Sequence, residues 1–217
     1  MGMSLRVVVP PHPLIGHWLS MLRDTATPTP LYATAMAELG RWLTYEALRD
    51  WLPHQQLAIT TPTGSTLGEV VDASVPLLAV PMLRSGLGLW QGAQTVLPNA
   101  RVAHVGLSST ASPEPNWYLD SLPAALPARM GVLVFTAQVA TGASLEALLQ
   151  RLRELGVSGA RLRVICCICA NPGLRRLGES FPELRIYTAC IDAELNPQQQ
   201  IVPGIGEPDS RLFDGPD

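Results

Sequence analysis

Five short apolar runs, each almost uninterrupted, limit this chain to few folds. They are residues 77–81 (LLAVP), 102–106 (VAHVG), 132–135 (VLVF), 162–170 (LRVICCICA) and 185–191 (RIYTACI). A strand with one wet face alternates apolar and polar residues. These runs do not, which is the pattern of strands covered on both faces. Between the third and fourth lies the segment 144–155, SLEALLQRLREL. Its leucines at 145, 148, 149, 152 and 155 fall on one helical face, and Gly156 follows as a stop. Strand, helix, strand in that order predicts a right-handed parallel crossover, and hence an α/β fold.

The rest of the chain is read around that unit. The N-terminal region to Trp51 is helical in pattern, with 32–52 ending before Pro53. Residues 109–127, rich in Ser, Pro and Asn, are expected to form an exposed excursion from the sheet. The tail after Asn196 is rich in Gln, Pro and Gly, but Ile201, Val202, Ile205, Leu212 and Phe213 predict that it packs on the body. One domain is expected, with N-terminal helices at 12–52, a core at 75–195 and a C-terminal tail at 196–217. All 15 basic residues are Arg, and with 18 acidic residues the net charge is −3. The absence of Lys excludes Schiff-base chemistry and a phosphate-loop lysine, and the charge argues against nucleic acid as a partner. No apolar stretch has membrane-spanning length, so no membrane partner and a cytoplasmic protein are expected. Cys166, Cys167, Cys169 and Cys190 fit reduced thiols on neighbouring strands better than a disulfide framework or a zinc site. His12, His17, His54 and His104 lack metal-ligand spacing, so no protein-held metal is expected.

Three stretches could carry chemistry. In VLVFTAQVATGASLEALL (132–149) a strand runs into Ala140-Thr141-Gly142-Ala143-Ser144 and a helix starts at once. Backbone N–H groups and two hydroxyls at a helix N-terminus suit an anion, although Ser144 as an ordinary N-cap would give the same pattern. In VPMLRSGLGL (80–89) a strand ends in a glycine-rich turn bearing Arg84, which could grip a phosphate with two parallel bonds. In IVPGIGEPDSRLF (201–213) a loop with two glycines carries Glu207 and Arg211.

Taken in order, these and further segments resemble the uracil phosphoribosyltransferases over almost the whole chain. HPLIGHWLSMLRDTATPT (12–29) and YEALRD (45–50) are similar to that family's opening helices. VPMLRSGLGLWQGAQTVLPNARVAHVGL (80–107) resembles its Arg-containing diphosphate loop and the following strand. WYLDSLP (117–123), VATGAS (139–144), YTACIDAELN (187–196) and IVPGIG (201–206) continue the order. The resemblance implies a type I phosphoribosyltransferase fold, a central parallel sheet flanked by helices with a hood over the base site. It implies transfer from 5-phosphoribosyl 1-diphosphate (PRPP) to uracil, giving UMP and diphosphate in pyrimidine salvage, with Mg²⁺ carried on PRPP. By the same resemblance PRPP would be met by Arg84, Ser109, Thr136, Ala140, Thr141, Gly142, Ala143, Ser144 and Glu207. Uracil would meet Ile201, Gly206, Glu207 and Pro208, and the protein would be a homodimer or higher homo-oligomer.

The sequence also departs from the family pattern. The family's loop reads DPMLATGGS, and here the same span runs from Thr136 to Ser144 as TAQVATGAS. The family Asp accepts hydrogen bonds from the ribose hydroxyls; a threonine accepts one and carries no charge. Charge-assisted bonds are worth about 1.5–3 kcal/mol, so that change alone implies roughly 10- to 100-fold in rate. Ser109 stands where the family has a second diphosphate-binding Arg, Gln200 where it has a tyrosine, and Glu207 where it has an aspartate. Ala143 replaces a glycine, at a cost of about 1 kcal/mol if the position needs positive φ. The expectation is therefore weakened turnover. The alternative is a catalytically inactive relative that senses a nucleotide or engages a protein partner.

Overall fold

The computed structural model describes residues 5–108 and 115–213. In chain order the elements are β1 (Arg6–Val8), α1 (Pro13–Arg23), α2 (Thr29–Leu48), β2 (His54–Thr61), β3 (Gly64–Val71), β4 (Leu77–Leu83), α3 (Gly86–Ala93), β5 (Arg101–Val102), β6 (Val105–Ser108) and β7 (Asn116–Asp120). They continue as β8 (Gly131–Val139), α4 (Ala143–Glu154), β9 (Leu162–Ala170), α5 (Asn171–Ser180), β10 (Arg185–Asp192), β11 (Glu194–Leu195), β12 (Ile201–Val202) and α6 (Pro208–Phe213).

The main sheet runs β1-β10-β9-β8-β4-β6-β7, with β5 also pairing β4. Every pairing in it is parallel except β6 with β7. Along β8, Leu133, Phe135 and Ala137 face a core shared with α1, α2 and α3, while Val132 and Val134 face a second core built with α4 and α5. Both faces are dry, which is why the run shows no polar alternation. Of the predicted helical stripe, Leu145, Leu148, Leu149 and Leu152 are buried in α4, while Leu155 lies just past its end as the C-cap and is only partly buried. The chain leaves β4 for β6 on one side and β8 for β9 on the other, so the sheet has its topological switch point between β4 and β8. Open α/β sheets bind ligands beyond the carboxyl ends of the strands at such a point.

Several expectations need correction. The run 102–106 is not one strand: β5 ends at Val102 and β6 starts at Val105, with Met82 of β4 paired to Val105. The excursion 109–127 contains β7, which folds back antiparallel on β6. Sequence periodicity also missed the β2–β3 hairpin, whose residues are exposed along almost their whole length, including Leu57, Ile59, Leu67, Val70 and Val71. The three β9 cysteines are buried free thiols, and Cys190 is partly exposed. Among the described residues, no helix is long and apolar enough to cross a membrane.

Candidate active site

The loop after β8 is set by one backbone geometry. Gly142 is the N-cap of α4 with φ 81°, a left-handed conformation that a side chain resists. Ser144 is thus not the N-cap. The Thr141 hydroxyl accepts the Ala143 N–H at 3.4 Å, and the Gly142 carbonyl accepts the Glu146 N–H at 2.8 Å. Beyond Ala143, the first-turn N–H groups of Ser144 and Leu145 have no preceding carbonyl to donate to and lie at the positive end of the helix dipole. Ala143 has no positive φ, so replacement of the family glycine there carries no backbone penalty. A cavity of about 170 Å³ is lined by Met82, Thr136, Gln138 and the stretch from Val139 to Leu145, which brings Thr136, Ala140, Thr141, Gly142, Ala143 and Ser144 together. The Thr136 hydroxyl, half-buried, donates to the Gln138 carbonyl at 3.3 Å.

Behind this cup stands a residue that sequence reasoning passed over. A Cβ on Gly173, in the first turn of α5, would lie 2.4 Å from the Ala140 carbonyl oxygen. The helix after β9 therefore packs backbone to backbone under the loop.

The second strand edge at the switch point supplies Arg84. The Leu83–Arg84 peptide is cis, and Ser85 precedes α3. Arg84 Nε donates to Asp209 Oδ2 at 3.3 Å, and the Ser85 N–H donates to Asp209 Oδ1 at 2.9 Å. Tyr118 of β7 reaches the same turn, its hydroxyl donating to the Leu83 carbonyl at 3.4 Å. Desolvation, then the Asp209 charge, pushes the Tyr118 hydroxyl above its ordinary value, with Arg84 opposing. Neither Asp209 nor Tyr118 carries a local sequence signal. Both reach Arg84 from distant segments, β7 and α6.

The C-terminal segment closes the third side. Ile201 is buried in β12, which pairs with β11 just beyond the end of β10. Gly206 has φ 73°, Glu207 is exposed, and Pro208 begins α6 as a buried residue. Arg211 fastens the segment, donating to the carbonyls of Leu22, Ile205 and Asp24 while its guanidinium lies 4.1 Å from the Tyr32 ring centroid. Asp192 fastens it again, accepting from Arg23 at 2.7 and 3.0 Å and from the Gly204 N–H at 3.0 Å. Burial would raise the Asp192 carboxyl, but the Arg23 and Gly204 hydrogen bonds outweigh it and hold the group below its ordinary range. Ser109 lies outside the described residues.

A depressed carboxyl stabilises the fold above its unfolded pKa, about 3.9, and that contribution is lost as pH falls through the lower folded value. Asp192→Asn should therefore destabilise the protein by about 2 kcal/mol near neutral pH. The gap between parent and variant melting temperatures should close as the pH is taken below about 4. A gap that stays constant from pH 7 to pH 2 would show that the charge is not what holds the segment.

Comparison with known proteins is consistent along the whole chain. A family model described as uracil phosphoribosyltransferase matches residues 9–215. A uracil phosphoribosyltransferase of Synechococcus elongatus is 51% identical over 100% of both chains. One from a Nostoc species is 44% identical over 98% of this chain and 99% of the other. The solved structure of an Aquifex aeolicus protein has a TM-score of 0.85 at 30% identity, covering 95% of this chain and 97% of that one.

Proposed function

Because this chain belongs to the uracil phosphoribosyltransferase family, we propose that it joins uracil to PRPP, giving UMP and diphosphate. The observation that carries the reading is the convergence of the β8–α4 cup, the Arg84 turn and the 201–208 segment at one sheet edge. In the reaction the uracil N1–ribose C1 bond forms, the bond from C1 to the diphosphate oxygen breaks, and N1 loses its proton. The first-turn N–H groups of α4 with Thr141 and Ser144 hold the 5′-phosphate. Arg84 and the Ser85 N–H take the leaving diphosphate, and the backbone at Ile201, Gly206 and Pro208 meets the uracil edge. The cup offers amide and hydroxyl groups, which suit oxyanions, and the Asp209 carboxylate at the Arg84 turn is already held by Arg84 and the Ser85 N–H. Mg²⁺ accordingly enters on the oxygens of PRPP as part of the substrate.

Thr136 takes the ribose hydroxyls with a neutral oxygen, so charge developing at the ribose goes without a facing carboxylate. Turnover is accordingly low. Thr136→Asp should raise kcat/KM for PRPP about 10-fold, and Ser109→Arg added to it should raise it further. The check is UMP formation from uracil and PRPP by the parent and both variants. No UMP from any of the three would overturn the assignment.

The exposed apolar residues of the β2–β3 hairpin support a homodimer or higher homo-oligomer, since two strands alone are marginally stable in water. Sedimentation of the full chain would measure it.

A further inference from the structure

Three arginines occupy one row at the end of the sheet opposite the active-site loops. Arg6 of β1 is the Cα partner of Arg185 of β10, and Arg185 is the partner of Arg163 of β9. Partners across adjacent strands project to the same face, about 4.8 Å apart between strands. Like charges placed side by side on a sheet repel, so such a row needs compensation. The compensation present is small. Asp50, which follows α2, accepts from Arg185 Nη1 at 2.8 Å and stands 3.9 Å from Arg163 Nη2. Among the described residues no ion pair reaches Arg6.

Arg163 is the unusual member. It is 2% exposed, its guanidinium lies 5.3 Å from the Trp51 ring centroid, and its Nε and Nη1 have no hydrogen-bond partner. Buried guanidinium nitrogens are almost always paired, because an unpaired one forfeits its hydration without return. Burial, and then the neighbouring Arg185 and Arg6 charges, pull the Arg163 guanidinium below its ordinary value, while Tyr187 and Asp50 oppose them. Counting three cations, the Asp50 carboxylate and the roughly half-unit negative end of α2, the row keeps a surplus of about +1.5. That surplus matches a doubly charged oxyanion better than a carboxylate.

We propose that the Arg6–Arg185–Arg163 row is a second anion site, separate from the active site, which takes a dianionic phosphate group, free or at the end of a monoester. The row opens to solvent at Arg6 and Arg185 and closes at Arg163. Asp50 is exposed and can swing into water, leaving its position to the incoming phosphate. Planar forks on adjacent strands then face tetrahedral oxygens, the geometry in which Arg excels. Asp50 is thus the competitor for the site as well as its resident counter-charge. The site does not depend on the proposed reaction, since its residues lie at the amino ends of the strands and the cup lies at their carboxyl ends.

The test is thermal unfolding of the full chain in 10 mM inorganic phosphate, and in a parallel arm 10 mM glycerol 2-phosphate, against chloride at equal ionic strength. Each variant is referred to its own chloride baseline, which removes any change in intrinsic stability. The parent should gain about 3–5 °C. Arg185→Gln should lose most of that gain in at least one arm, and Arg6→Gln, an exposed change that leaves the core intact, should lose part of it. Asp50→Asn should enlarge the gain, with several-fold tighter phosphate binding by calorimetry. The cup is intact in all three variants, so any gain it contributes remains in each. A gain equal in parent, Arg185→Gln and Arg6→Gln would assign it to the cup and overturn the proposal. A smaller gain in Asp50→Asn would overturn it as well.

Discussion

Arg84→Ala is expected to lower kcat/KM for PRPP by 100-fold or more, with the larger share of the loss in KM. Arg84 follows the carboxyl end of β4, whose Met82 lines the β8–α4 cup, and the proposed reaction puts the diphosphate there. Two charge-assisted bonds from one guanidinium are worth about 3–4 kcal/mol together, which is the stated factor. The side chain is half-exposed, so the fold should survive its removal, and an unchanged melting temperature would confirm that. In the free protein Asp209 accepts from Arg84 Nε and from the Ser85 N–H. On the proposed reading the diphosphate competes with that carboxylate for these two donors. An exposed pair of this kind is worth less than about 1 kcal/mol, so Asp209→Asn should lower the KM for PRPP by no more than about fivefold. Opposite signs for the two variants would establish the competition. Arg84→Ala with an unaltered KM would remove Arg84 from the diphosphate site.

What could be read without coordinates follows from how local the governing physics is. The β9 run and the α4 stripe were legible because a strand dry on both faces and an amphipathic helix each write their burial into consecutive residues. The cup was legible for the same reason, since strand end, turn and helix start lie within one stretch, although the N-cap moved from Ser144 to Gly142 once φ was known. The family's residue order supplied the functional name, which no periodicity could. Features made by distant segments were not legible. Asp209 meets Arg84 across 125 positions, and the Arg6, Arg185 and Arg163 row exists only because three strands are in register. The hairpin was missed because its polar and apolar residues follow no burial pattern against the body of the chain. Gly173, Gly40 and Gly92 look like ordinary helix-weakening glycines until the neighbouring backbone is seen.

Gly92 leads to the second large effect. Placing a Cβ on Gly92 of α3 would set it 1.6 Å from the Ala37 carbonyl oxygen of α2, and a Cβ on Gly40 of α2 would lie 1.9 Å from the Leu89 carbonyl oxygen of α3. The two helices touch through backbone at both points, so no side chain can rotate away to make room. Gly92→Ala should destabilise the protein by about 3 kcal/mol or more, beyond the roughly 1 kcal/mol that Ala returns through helix propensity. For a chain of this size that is a fall of about 6–12 °C in melting temperature. Gly16→Ala provides the control: it sits in α1 with nothing within 4 Å of the added carbon, and should leave stability unchanged or slightly raised. The consequence reaches the site because α3 begins immediately after Ser85. A helix pushed off α2 carries the Ser85 N–H and Arg84 with it, so Gly92→Ala should weaken PRPP binding even at temperatures where the variant is folded. A Gly92→Ala protein as stable as Gly16→Ala would mean that α2 and α3 are not packed backbone to backbone.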